Sequence, residues 1–171
     1  MEKGFSGTSM SQIAKDAGVT KGLLFYYFNT KEELWQRVKD YILGEETIHQ
    51  IKEIPLDRFE NFIASILNLR FELYARNPDL VRMMIWQRCD SQKAHIEGTK
   101  ALPANMWEKA FLDFQEKGEI NQTINLMILT DLVYALSAMP FLENLSWVYE
   151  DDHRETYKHM VKEMILAFVK R

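Results

Sequence analysis

Residues 8–31, TSMSQIAKDAGVTKGLLFYYFNTK, predict two short helices about a tight turn, followed by the cap of a third. Ser9 is a capping residue for the first helix, Gln12 completes a capping box three positions on, and Met10, Ile13, Ala14 and Ala17 supply the apolar face. Gly18 stops that helix. Val19 at the turn is of a type usually buried, Thr20 caps the next helix, and Leu23, Leu24, Tyr27 and Phe28 recur there at helical spacing. Thr30 with Glu33 repeats the box for a third helix. Two helices about a glycine-bearing turn form a helix-turn-helix, whose second helix enters the major groove of DNA. Lys21 and Lys31 lie in the first turns of their helices, where the helix dipole disfavours a cation and favours an anion. Phosphate contact explains them; the competing reading is a helical hairpin without a nucleic-acid role.

Gly4, Phe5, Thr8, Ser9, Ile13, Ala14, Ala17, Gly18, Val19, Thr20, Lys21, Gly22, Phe28, Lys31, Glu32 and Leu34 fall in order on a longer pattern. It runs glycine-aromatic, Thr-Ser/Thr, Ile-Ala, Ala-Gly-Val, Ser/Thr-Lys-Gly, an aromatic cluster, then Lys-Glu-Glu-Leu. About the first 40 residues thus resemble the amino-terminal domain of TetR-family transcriptional regulators. The resemblance implies that Ser9 caps its helix near a DNA phosphate and that Thr20, Lys21 and Gly22 bring the recognition helix against the backbone. Leu23, Phe25, Tyr26 and Tyr27 would face the groove or its walls, and Lys31 would hold a further phosphate. Phe25 replaces the family's usual tyrosine and loses a hydroxyl contact, and Leu23 replaces a small or polar residue; contact with a thymine methyl stays open to both, and base preference does not follow from the family. The family has a whole helix before the glycine-aromatic pair, whereas only Met1, Glu2 and Lys3 precede it here. The expectation is an amino-terminally incomplete DNA-binding domain at 1–44 and a helical effector-binding and dimerisation domain at 45–171.

Composition agrees with a globular regulator. The chain has 171 residues, of which 47% are hydrophobic, enough to bury a substantial core. Cys89 is the sole cysteine, so no internal disulfide forms, and a cytoplasmic, reducing location is expected. The longest apolar tract, 132–142, is interrupted by Ser137 and Pro140 and is too short for a bilayer, so no membrane partner is expected. Residues 1–31 carry Lys3, Lys15, Lys21 and Lys31 against Glu2 and Asp16, a net charge of +2 that leaves −6 of the total −4 for the remainder. An acidic body is not drawn to DNA, which confines nucleic-acid contact to the amino-terminal end.

The rest of the chain reads as an all-α body. A long helix from Lys31 is expected to run to about Ile51 despite Gly44; Pro55 opens another that ends near Asn77, where Asn77 caps a short helix begun by Pro78. Residues 88–102 are polar and form a short helix or a loop. A helix follows Pro103 and stops at Gly118, a largely apolar one spans 123–139 until Pro140 ends or bends it, and the last covers about 151–169. The last shows a stripe of Tyr157, Met160, Val161, Met164, Ile165 and Phe168. By resemblance, the last two long helices pair with their copies in a homodimer; ordinary intramolecular packing is the alternative.

On a helical wheel of residues 56–74, Arg70 stands amid the apolar face formed by Phe59, Ile63, Ile66, Leu73 and Tyr74. A buried guanidinium needs a partner. Asp131, on the largely apolar helix, is the complementary anomaly, so an Arg70–Asp131 pair, or an arginine that reaches solvent along its stem, competes with contact to an acidic ligand. In the family the body encloses a small-molecule effector, and by their chemistry Arg70, Tyr74, Met83, Trp86, Trp107, Phe111, Phe114, Asp131 and Tyr134 are the candidates here for contact with a mostly apolar one. Met139 is a further candidate wall, although each such residue also suits a plain core.

No phosphate-binding glycine loop, nucleophile elbow or HExxH pair is present, and His49, His95, His153 and His159 are scattered, so no enzyme activity, cofactor or metal site is expected. The expected function is a ligand-responsive regulator, a repressor released by its effector from a palindromic operator on double-stranded DNA. The alternative is a helical ligand-binding or protein-interaction module without competent DNA binding.

Overall fold

In a computed structural model of the chain, residues 5–89 and 106–170 are described, and no strand occurs among them. The polar stretch at 88–102 lies almost wholly outside that set. Helices α1 (Met10–Asp16) and α2 (Lys21–Tyr27) start where their caps predict. Ser9 Oγ accepts the Gln12 N–H at 3.2 Å and Thr20 Oγ1 that of Leu23 at 3.1 Å. The capping boxes are only half made. Gln12 Nε2 turns to the Asp16 carboxylate at 2.6 Å, a charge-assisted bond one turn on, and Glu33 reaches past Thr30 to the Asn29 N–H at 2.9 Å. Gly18, at φ 68, ends α1 while the Val19 N–H returns to the Ala14 carbonyl at 3.0 Å. Val19 itself is exposed. Met10, Ala14 and Leu24 form a small core, flanked by Ile13, Phe28 and Leu34.

Helix α3 (Lys31–Lys52) is not the continuous rod expected: Gly44 leaves the helical region, with φ 71 and ψ 156, and divides it. Glycine alone enters that region without a Cβ penalty. The next helix begins later than Pro55 implies. Helix α4 (Phe59–Arg76) starts where the Glu119 carboxylate accepts the Phe59 N–H at 2.8 Å, so a distant side chain, invisible to local pattern, caps it. Pro78 opens α5 (Pro78–Cys89), but the Asn77 side chain faces backward, donating to the Leu73 carbonyl at 2.8 Å. Helix α6 (Met106–Glu116) is followed by Gly118 at φ 77.

Helix α7 (Leu126–Leu142) begins after Thr123 because Asn125 Oδ1 takes the N–H groups of Met127 and Ile128 at 3.0 and 3.2 Å. It runs through Pro140. The proline removes the donor for the Leu136 carbonyl four residues earlier, and the Tyr157 hydroxyl replaces it at 2.9 Å. A short 3₁₀ turn (Ser146–Tyr149) leads into α8 (Asp151–Val169), which has the expected bounds.

Phe59, Phe62, Phe111 and Phe114 form an aromatic cluster between α4 and α6, closed by Leu129 and Val133 of α7 and Val161 and Ile165 of α8. A second core joins Phe71 and Tyr74 to Phe141 and Val148. Along one edge α4 and α8 meet through polar rungs: Lys158 donates to Asn68 Oδ1 at 2.8 Å and Lys162 pairs with Glu60 at 3.2 Å. The stripe on α8 therefore divides. Val161 and Ile165 point into the core, while Met160, Met164 and Phe168 are exposed, as are Met127, Ile128 and Leu132 of α7.

Candidate nucleic-acid interface and effector site

Helix α2 shows its apolar side chains to the outside. Only Leu24 is buried, whereas Leu23, Phe25, Tyr26 and Tyr27 are 45%, 40%, 81% and 64% exposed. Tyr26 and Tyr27 meet edge to face at 5.2 Å, and Lys21 Nζ lies 5.6 Å from the Phe25 ring, so aromatic and cationic groups share one surface. Gly22 is helical, and a Cβ built on it meets nothing within 4 Å. Nothing inside the chain requires glycine there. Ser9 and Lys31 border a shallow groove with Ser6, Gly7, Thr8, Met10 and Gln12.

Lys31 has a second set of contacts that the sequence does not show. Its ammonium donates to the carbonyls of Phe5 and Thr8 at 2.9 and 3.1 Å and sits 4.0 Å from the Phe5 ring. Two of the three donors of an ammonium are thereby used inside the chain, tying residues 5–8 to α3. Lys31→Ala should lower stability by about 1–2 kcal/mol, roughly 2–8 °C in Tm for a chain of this size, through the lost charged hydrogen bonds. A thermal melt checks this; an unchanged Tm would return Lys31 to phosphate binding alone.

In the body, Arg70 leaves its predicted competitor. Asp131 is exposed, and no described carboxylate lies within ion-pair reach of Arg70. Arg70 Nε instead donates to Ser137 Oγ at 2.6 Å. Ser137 lies six residues beyond Asp131, about 120° around the helix, so only one of the two faces α4. Ser137 in turn donates to the Val133 carbonyl at 2.7 Å or the Tyr134 carbonyl at 3.1 Å, which fixes its oxygen as acceptor for Arg70. The guanidinium carbon lies 4.3 Å from the Tyr134 ring and 5.2 Å from that of Tyr74.

Arg70, Trp107, Phe111 and Tyr134 line one small cavity with Ile66, Thr130 and Val133, of about 10 Å³, the room of a single water. Burial raises the Tyr134 hydroxyl above its ordinary pKa, opposed by the Arg70 charge and by a hydrogen bond with Trp107. Four of the predicted residues are brought together here, with Tyr74 against Arg70 at their side. Met83, Trp86, Phe114 and Asp131 do not line it: Phe114 is locked into the aromatic cluster, Met83 is buried on α5, and Asp131 faces outward. Ser137, which the sequence shows only as a break in an apolar tract, is the residue missed. Its signal is a hydroxyl on an apolar helix opposite a half-buried arginine.

Residues 1–38 match the family model described as bacterial regulatory proteins, tetR family. Over those residues the chain is similar to the TetR-family helix-turn-helix domain. The transcriptional regulator UidR of Escherichia coli K12 is 28% identical, over 85% of this chain and 77% of its own. The transcriptional repressor SCO4008 of Streptomyces coelicolor is 26% identical over 80% of this chain and 67% of its own. Beyond the TetR-type helices the likeness extends to the whole fold. The structure of FadR from Bacillus subtilis in complex with stearoyl-CoA superposes with a TM-score of 0.73 at 19% identity, covering 97% of this chain and 91% of that one. Among the described residues no helix is long and apolar enough to cross a membrane, and no group of three metal-ligating side chains occurs.

Proposed function

We propose that the protein is a ligand-responsive transcriptional regulator, a cytoplasmic repressor that binds a near-palindromic operator as a homodimer and is released by a small, mostly apolar effector. One observation carries this reading: on α2, Leu23, Phe25, Tyr26 and Tyr27 are displayed outward while Gly22 leaves the helix backbone open to close approach. The Thr20 cap and Lys21 stand at the start of α2, the end that would meet phosphate, and Ser9 and Lys31 would add contacts from the starts of α1 and α3. Residues 1–44 form the DNA-reading domain and 45–171 the effector and dimerisation domain, a division supported by separate cores and the break at Gly44. UidR and SCO4008 are regulators by name, and FadR holds an acyl thioester, which supports an elongated apolar effector here.

Selection of bound fragments from random DNA tests the reading, with recovery of a two-fold site whose halves lie about 34 Å apart, or a multiple of it, as the expected result. Tyr26→Ala should then lower affinity for the selected site by about ten-fold or more and for random DNA far less, because base-edge contacts specify while phosphate contacts only position. Filter binding on both DNAs measures it. Equal losses assign Tyr26 to the backbone, and failure to enrich any sequence favours a ligand-binding module without DNA readout.

A further inference from the structure

Resting on the effector reading above, we infer that the body selects a monoanion: a free carboxylate borne on an apolar or aromatic frame, gripped by Arg70, one of the residues beside the small cavity. The guanidinium is preset. Its Nε is spent on Ser137 Oγ at 2.6 Å, Ser137 is itself oriented by the α7 backbone, and Tyr134 and Tyr74 lie 4.3 and 5.2 Å from the guanidinium carbon. With Nε held, Nη1 and Nη2 remain, and none of their N–H groups meets an acceptor among the described residues. Those paired ends match the two oxygens of a carboxylate in a fork geometry that an ammonium lacks.

Charge count sets the class. Arg70 is the one ionic side chain among the residues lining the cavity; the others are Ile66, Trp107, Phe111, Thr130, Val133 and Tyr134. A single cation among aromatic and aliphatic walls balances one negative charge and leaves a phosphate dianion or a polyphosphate uncompensated. Thr130 offers no competing polar contact, since its hydroxyl is turned to the Leu126 carbonyl at 2.8 Å. At about 10 Å³ the cavity has the room of a single water, so seating the frame requires displacement of its half-buried wall, the indole of Trp107. Trp107 is therefore both wall and reporter.

The test is titration of the purified chain with decanoate, 2-naphthoate, 1-decanol and decanoyl-CoA, read by tryptophan fluorescence and by calorimetry, for wild type, Arg70→Met and Arg70→Lys. The expected result is that wild type binds one or both free acids at least about ten-fold more tightly than 1-decanol and decanoyl-CoA. Arg70→Met should bring acid and alcohol level, and Arg70→Lys should restore part of the preference, since the charge returns without the fork. Circular dichroism melts of both variants confirm that they are folded; should Arg70→Met fail that check, the Arg70→Lys ratio decides alone, an unchanged ratio overturning the fork. Equal binding of acid and alcohol by wild type overturns the carboxylate assignment while leaving an apolar effector standing. Preference for decanoyl-CoA overturns it in favour of a thioester, and binding of none of the four overturns both readings.

Discussion

Met164→Asp is expected to turn a dimer into folded monomers. Met164 is 58% exposed on α8, beside Met160 and Phe168, and Met127 and Ile128 of α7 are exposed as well, all of them apolar and uncovered within one chain. An aspartate at that place is harmless to the isolated chain because it stays in water. In a four-helix contact between two copies it would be buried without a partner, a cost of several kcal/mol and therefore a weakening by roughly a thousand-fold or more. Sedimentation velocity gives the mass and circular dichroism the helicity. A dimer that persists with the variant places the interface on another surface, and a loss of helicity would show that Met164 serves its own chain.

The second large effect is in the core. Phe62 is 1% exposed and touches three rings, with centroids 5.7 Å away in Trp107, 5.6 Å in Phe111 and 5.2 Å in Phe114. Phe62→Ala should cost about 3–5 kcal/mol, since the lost apolar transfer is joined by a cavity that the three rings of α6 cannot close. Two of those rings also wall the small cavity beside Arg70, so the vacated space adjoins it. Urea unfolding measures the loss, with a lower midpoint at unchanged slope expected. A loss under about 1 kcal/mol would mean that the cluster collapses onto the gap.

The amino-terminal helices were legible because their information is local: Ser9, Thr20 and Thr30 cap helices that begin one residue later, and Gly18 breaks the chain where its sign of φ demands. Helix α8 was legible for the same reason, through an unbroken 3.6-residue period. Where partners are distant, pattern failed. The start of α4 depends on a carboxylate 60 residues away, and the continuation of α7 past Pro140 depends on the Tyr157 hydroxyl. Arg70 is anomalous by its wheel position, but of the readings this opens the pair with Asp131 is not formed, because on α7 it is the hydroxyl of Ser137 that faces α4. For Lys31 the type was informative and the contacts were not, since two carbonyls of an irregular segment leave no trace in a periodicity.

Gly44 turns α3 into a lever. Between Lys31 and the break lie about thirteen residues, an arm of roughly 20 Å at 1.5 Å per residue. A swing of about 10° at the two dihedrals of that glycine moves the far end of the arm by about 3.5 Å, close to the rise of one base pair. Two such arms in a symmetric pair move in opposite senses, so the separation of their tips changes by up to twice that distance. Small torsional displacements at one pivot are thus enough to carry two reading surfaces out of phase with the helical repeat of DNA.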